Sequence, residues 1–129
     1  MMVMAWMVLF QDDFAEEVQT YSEAVRLELI AMADHLAEFG PSAKRPKVDT
    51  LKDTRIKNLK EFRFNADNGV WRVAFAFDPR RRAIVLAAGD KSGGGEQKFY
   101  ARLIKLAEKR MKAFMEAQQE VEEEAKENK

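Results

Sequence analysis

Leu59-Lys60-Glu61-Phe62-Arg63-Phe64-Asn65-Ala66-Asp67-Asn68-Gly69-Val70-Trp71-Arg72-Val73-Ala74-Phe75-Ala76-Phe77-Asp78 is the stretch whose pattern decides the fold. Over Leu59–Asn65, Phe62 and Phe64 alternate with Glu61, Arg63 and Asn65, the period of two that marks a half-buried strand. Over Val70–Asp78, Trp71, Val73, Phe75 and Phe77 fall on one side, and Arg72, Ala74, Ala76 and Asp78 on the other. Asp67-Asn68-Gly69 between them is hairpin chemistry, because Asn and Gly accept positive φ at little cost. The two segments form an antiparallel hairpin with one aromatic face. On its other face Arg63 and Arg72 emerge from neighbouring strands.

Working outward, the turn around Asp78-Pro79-Arg80-Arg81 leads into Ala83-Ile84-Val85-Leu86-Ala87-Ala88, apolar on both faces and so a central strand. On the N-terminal side, Val3–Phe10 is a continuous apolar run that reads as another strand covered on both faces. Asp13 with Glu16 has the spacing of a capping box opening a short helix, and Thr20 with Glu23 repeats it for a second. The inner stripe of that second helix is Val25, Leu29, Ala33 and Leu36, and Gly40-Pro41 ends it. Residues 42–58 read as a basic connector. After Gly93-Gly94-Gly95 comes a last helix whose inner stripe is Phe99, Tyr100, Leu103, Ile104, Ala107, Met111 and Phe114. The order β-α-α-β-β-β-α predicts an α+β domain: a small, mostly antiparallel sheet with a helical hairpin and a C-terminal helix. Residues 1–114 are expected to form the domain, and the glutamate-rich 115–129 an acidic helical extension or tail.

The chain has 129 residues, enough for one core without staples. It has no cysteine, which excludes disulfides, thiol catalysis and cysteine zinc sites and fits a reducing, cytoplasmic setting. The run Met1–Phe10 is too short to cross a bilayer, and without a basic leader it does not read as a signal peptide, so no membrane is expected. The net charge of zero hides a segregation. Residues 1–43 carry a net −7, residues 44–110 a net +10, and residues 111–129 a net −3. The positive stretch has the charge a polyanion-binding surface needs.

Two guanidiniums across a hairpin repel, and a shared anion relieves them. A phosphodiester suits that place, since arginine binds phosphate oxygens through a planar fork. Glu61, on the same face, is the competing partner for an ordinary ion pair. Lys91, Lys98 and Tyr100 flank the turn into the last helix, where they would serve a nucleic-acid backbone with Tyr100 stacking on a base; the alternative for Tyr100 is core packing. His35, the only histidine, reads as an exposed helix residue, which leaves no histidine acid–base pair and no Ser–His–Asp triad. No Asp/Glu/His spacing suggests a metal, and Gly93–Gly95 lacks the spacing of a phosphate loop, so no cofactor is expected.

Glu38-Phe39-Gly40-Pro41, Val48-Asp49-Thr50-Leu51-Lys52, Asn58-Leu59-Lys60-Glu61-Phe62-Arg63, Trp71-Arg72-Val73, Ala76-Phe77-Asp78-Pro79-Arg80-Arg81, Gly89-Asp90-Lys91-Ser92-Gly93 and Lys98-Phe99-Tyr100 resemble, in that order, the successive blocks of phage-derived Gp49-like HigB toxins. The resemblance covers roughly residues 3–112, and that family belongs to the RelE/ParE superfamily. It implies a type II toxin that cleaves mRNA in the ribosomal A site without a metal, by attack of the ribose 2′-OH on the neighbouring phosphate. A helix-turn-helix antitoxin would neutralise it, within a homodimer or a toxin–antitoxin heterotetramer. On this resemblance Arg63 and Arg72 stabilise the phosphorane, and Lys91 or Lys57 moves a proton, with Lys91 counted among the catalytic residues. Arg55, Lys57, Lys60, Lys98 and Tyr100 hold RNA. ParE relatives that poison gyrase imply an alternative, and a phage-derived interaction protein without chemistry is a third. The acidic extension after Met111 and the glycine run depart from the family pattern.

Overall fold

A computed structural model describes residues 5–128. Its elements are β1 (Met7–Phe10), α1 (Asp12–Val18), α2 (Glu23–Phe39), β2 (Val48–Thr50), β3 (Leu59–Ala66), β4 (Gly69–Phe77), β5 (Arg82–Asp90) and α3 (Glu96–Glu127), with a 3-10 turn at Gly40–Ser42. The strands lie in the order β1-β5-β4-β3-β2. β1 runs parallel to β5, because the chain leaves β1 through both helices before it returns; the remaining pairs are antiparallel. The α+β architecture read from the sequence is the one observed.

The sheet separates two cores. Phe62, Phe64, Val73, Phe75 and Val85 meet Phe14, Val25, Leu29, Met32 and Leu36 of α1 and α2. On the opposite face Leu59, Ala74, Ala76, Ile84 and Leu86 meet Phe99, Leu103 and Ala107 of α3. This division follows from the period of two in β3 and β4, and β5, apolar on both faces, is central to both layers. In the β3–β4 turn Asp67 (φ 51°) and Asn68 (φ 60°) carry the positive φ. Gly69 instead begins β4, where a Cβ would stand 2.6 Å from the Asp90 carboxylate.

Several boundaries differ from the sequence reading. Gln11, not Asp13, caps α1 by accepting the Phe14 N–H, and Ser22, not Thr20, caps α2 by accepting the Val25 N–H. Met32 replaces Ala33 in the buried stripe of α2. The basic connector contains β2, a three-residue strand with no period of its own that exists because Val48–Thr50 pair with Phe62–Lys60 at the sheet edge. β1 is the opposite edge of the sheet, with Val8 and Phe10 packed on one core, Leu9 on the other and Met7 exposed, while Val3 and Met4 lie outside the described residues. α3 passes through position 114 unbroken, and its acidic part is tied back where Arg80 meets Glu122 at 2.6 Å.

Gly40 closes α2 at φ 52°, ψ −137°, a region that L side chains avoid, and a Cβ there would stand 2.4 Å from Trp6 Nε1. Gly40→Ala is expected to cost roughly 1–3 kcal/mol. Gly94→Ala, with nothing within 4 Å of the added Cβ, should leave stability unchanged. Thermal denaturation of the two variants checks this; equal midpoints would refute the strain assigned to Gly40.

Candidate functional site

The β3–β4 register sets Arg63 directly opposite Arg72, on the face that α3 covers only in part. The facing pair expected from the alternation is present, yet its repulsion is relieved from within the chain. Glu61 Oε1 accepts a hydrogen bond from Arg63 Nε at 2.8 Å and lies 3.6 Å from Arg72 Nε. It also accepts the Tyr100 hydroxyl at 3.0 Å. The Glu61 side chain is only 3% exposed, so those donors replace water around a buried carboxylate. This ion pair, which on the sequence pattern competes with a phosphate for the arginines, is the arrangement found.

The guanidiniums are not equivalent. Arg63 is 28% exposed at its side chain and reaches Asp49 Oδ2 at 3.3 Å, while Arg72 is 11% exposed and donates from Nη1 to the Trp71 carbonyl at 2.9 Å. Arg72 Nε is buried without a hydrogen-bond partner. Two cations sharing one carboxylate leave donor capacity unused, which an incoming anion can take up. The pairing with Glu61 also holds Arg63 protonated, above the ordinary arginine value.

α3 and the end of β5 complete the cluster. Lys91 is anchored by its backbone N–H on the Val70 carbonyl at 2.8 Å, and its ammonium sits 5.8 Å from the Tyr100 ring centroid. The same ammonium pairs with Glu96 at 2.8 Å. Tyr100 comes this close because Gly89, opposite Arg72, has no side chain: a Cβ there would stand 3.0 Å from the Phe99 ring. Burial, then the hydrogen bond to Glu61, raises the Tyr100 pKa against the pull of Arg72, so the phenol stays protonated and donates at neutral pH.

Of the residues proposed from sequence, the structure gathers Arg63, Arg72, Lys91 and Tyr100. Lys60 points to the other side of the sheet with Phe62, and its ammonium donates to Thr50 Oγ1 at 2.8 Å. Arg55 and Lys57 stand at the far end of β3, in a separate groove floored by Ile56, Phe77 and Met111. Lys98 is exposed on α3, on the flank of the Phe99 stripe away from Tyr100. His35 is a correction: it is half-buried, its ring 4.7 Å from Phe39 and 5.6 Å from Phe62, on the sheet face opposite the cluster. Burial and then Lys47 lower its pKa. Asp49 and Glu96 were missed; Asp49 faces Glu61 across β2–β3, a pairing invisible until β2 is known to be a strand. Among the described residues no group of three or more His, Cys, Asp or Glu could hold a metal.

The Tyr100–Glu61 bond makes a pH prediction. A tyrosine pKa raised by folding contributes stability that is present below the unfolded value near 10 and is lost as pH rises through the folded one. In a Tyr21→Phe background, phenolate absorbance should rise only at a pH above that ordinary value. Glu61→Gln should move the transition back toward it, because the buried negative charge is gone. A transition unmoved by Glu61→Gln would show that the hydrogen bond does not set the titration.

The model of the family described as "Phage derived protein Gp49-like (DUF891)" matches residues 16–112. Two Mycobacterium tuberculosis proteins assigned as toxins are similar: HigB2, 43% identical over 62% of this chain and 40% of that protein, and HigB3, 39% identical over 64% of this chain and 69% of that protein. The match thus spans less than half the length of HigB2. A solved structure of a free-state mutant of the E. coli toxin RelE shares the fold, with a TM-score of 0.53, 13% identity, and coverage of 78% of this chain and 95% of that one. The match of that family model over residues 16–112, three quarters of the chain, makes this chain a member of the phage-derived Gp49-like family.

Proposed function

We propose that this chain is the toxin of a type II toxin–antitoxin system, acting as a metal-independent endoribonuclease on mRNA held by the ribosome. The observation that carries the reading is the facing pair Arg63 and Arg72, with Lys91 and Tyr100 beside it, on one sheet face. Family membership and similarity to HigB2 and HigB3 support the toxin part. The cluster supports the nuclease part.

The reaction makes one bond to phosphorus and breaks another. The ribose 2′-oxygen attacks the adjacent phosphate, its proton passes to solvent water, and the bond to the 5′-oxygen breaks. A 2′,3′-cyclic phosphate and a 5′-hydroxyl result once that oxygen gains a proton. Negative charge accumulates on the non-bridging oxygens, and fixed donors aimed at them lower the barrier. Arg63 and Arg72 fill that role because Glu61 holds Arg63 in place before substrate arrives, so little reorganisation accompanies the reaction. Lys91 is assigned the proton delivered to the departing oxygen, and Tyr100, whose hydroxyl is engaged by Glu61, offers its ring to a base.

Arg55, Lys57 and Lys98, away from the cluster, serve as outer contacts to mRNA or rRNA, whereas Lys60 is assigned no contact with the reacting phosphate. The partner that holds the toxin inactive is a helix-turn-helix antitoxin, in a heterotetramer or with a toxin homodimer, and the complex is cytoplasmic. Among the described residues no helix is long and apolar enough to cross a membrane.

Arg63→Ala and Arg72→Ala should each reduce cleavage by about 10²-fold or more, the usual cost of removing one oxyanion donor. Induced expression followed by primer extension on cellular mRNA reads this directly. Growth arrest with DNA damage and no cuts would favour gyrase as the target. No arrest with wild-type protein would favour an interaction protein without chemistry. Unchanged cleavage by both variants would sink the assignment of the arginines.

A further inference from the structure

We propose that Glu96 is a displaceable counter-anion: its carboxylate holds Lys91 until an RNA phosphate takes that place. This rests on reading the cluster as a phosphate site. At rest every cation of the cluster is already matched: Arg63 meets Glu61 and Asp49, Arg72 meets Glu61, and Lys91 meets Glu96, with Arg45 also on Asp49. A phosphodiester entering a balanced cluster gains little unless one carboxylate leaves.

The geometry selects which one. Glu61 is 3% exposed and shared among Arg63, Arg72 and Tyr100, so its departure would strand buried cations. Asp49 is held by Arg63 at 3.3 Å, by Arg45 at 3.9 Å and by the Thr50 N–H at 2.8 Å. Glu96 is 67% exposed, and its carboxylate pairs with Lys91 at 2.8 Å. That pair keeps the Glu96 pKa below the ordinary carboxylate value, with smaller pulls from Arg72 and Arg63, so the carboxylate lies in the field that a phosphate would enter. With most of its side chain in solvent, Glu96 has room to swing aside. Exposed ion pairs are weak, and exchanging this one for a phosphate costs little.

The bland account is that Glu96 simply complements the N-terminus of α3, where acids are common. That role would alter stability and leave RNA affinity alone. The test measures fluorescence anisotropy of a short, non-cleavable 2′-O-methyl RNA oligonucleotide of mixed sequence, at low salt, with full-length protein. Glu96→Gln should bind about two- to five-fold more tightly than wild type, the range set by losing one exposed ion pair. The gain should shrink as salt rises and the charge is screened. In a Lys91→Gln background, the same substitution should lose most of its effect, because the competition is for that ammonium.

Equal affinity of Glu96→Gln and wild type, with Arg63→Gln still weakening binding, would overturn the role of Glu96 and leave the phosphate site standing. A gain that persists in full without Lys91 would overturn it too, since simple repulsion would then suffice. If wild type does not bind at low salt, or Arg63→Gln binds as wild type does, the phosphate-site reading falls and this inference with it.

Discussion

A carboxylate taken out of water must be repaid by donors, and Glu61 is the place where this chain meets that requirement. Its side chain is 3% exposed, and three side chains from three elements converge on it: Arg63 from β3, Arg72 from β4 and Tyr100 from α3. Remove the carboxylate and two guanidiniums face each other across a hairpin, one of them nearly buried. Remove the cations and a negative charge sits in a low-dielectric layer. The interaction therefore fixes the positions of three polar groups on the open end of the sheet face more firmly than surface ion pairs could. Such preorganisation is what charge stabilisation at a developing phosphorane needs.

The sheet arranges these charges as a small lattice. Asp49 stands opposite Glu61 across β2–β3, and Arg63 stands opposite Arg72 across β3–β4. Each like-charged pair is unfavourable alone, and the diagonal contacts turn both into attractions, since Arg63 reaches Asp49 and Glu61 together. β2 is only three residues long, yet it brings Asp49 into this set. A short edge strand that buries only Val48 thus has an electrostatic reason to be paired as well.

Much of this was legible in the residues. The alternation in Leu59–Ala66 and Gly69–Phe77, with Asp67-Asn68 between, dictates the hairpin and puts Arg63 and Arg72 on one face without any tertiary information. The same period shows that Lys60 shares parity with Phe62 and faces the other way. β2 was not legible, because Val48–Thr50 carry no period and depend on the edge of β3. The cap positions moved by two residues because Gln11 and Ser22 compete locally with the acids and hydroxyls that follow or precede them. The approach of Lys91 and Tyr100 to the arginines depends on how α3 seats on the sheet, a packing property absent from local sequence.

That seating links stability to the site. Phe99 occupies the space that Gly89 leaves on β5, and Leu103 and Ala107 continue the contact along the sheet. Tyr100, the next residue after Phe99, is carried to Glu61 by that fit, and Glu96, one turn earlier, is carried to Lys91. At the other end, α3 runs beyond the buried stripe to Val121, 62% exposed, and Arg80 and Arg82 hold it through Glu122 and Gln118. The acidic extension is therefore part of the helix that presents the cluster, rather than an appendage to it. A change in the packing of Phe99 displaces Tyr100 with it, so the polar face cannot be altered independently of the apolar one. The charge cluster and the second core are two faces of a single docking event.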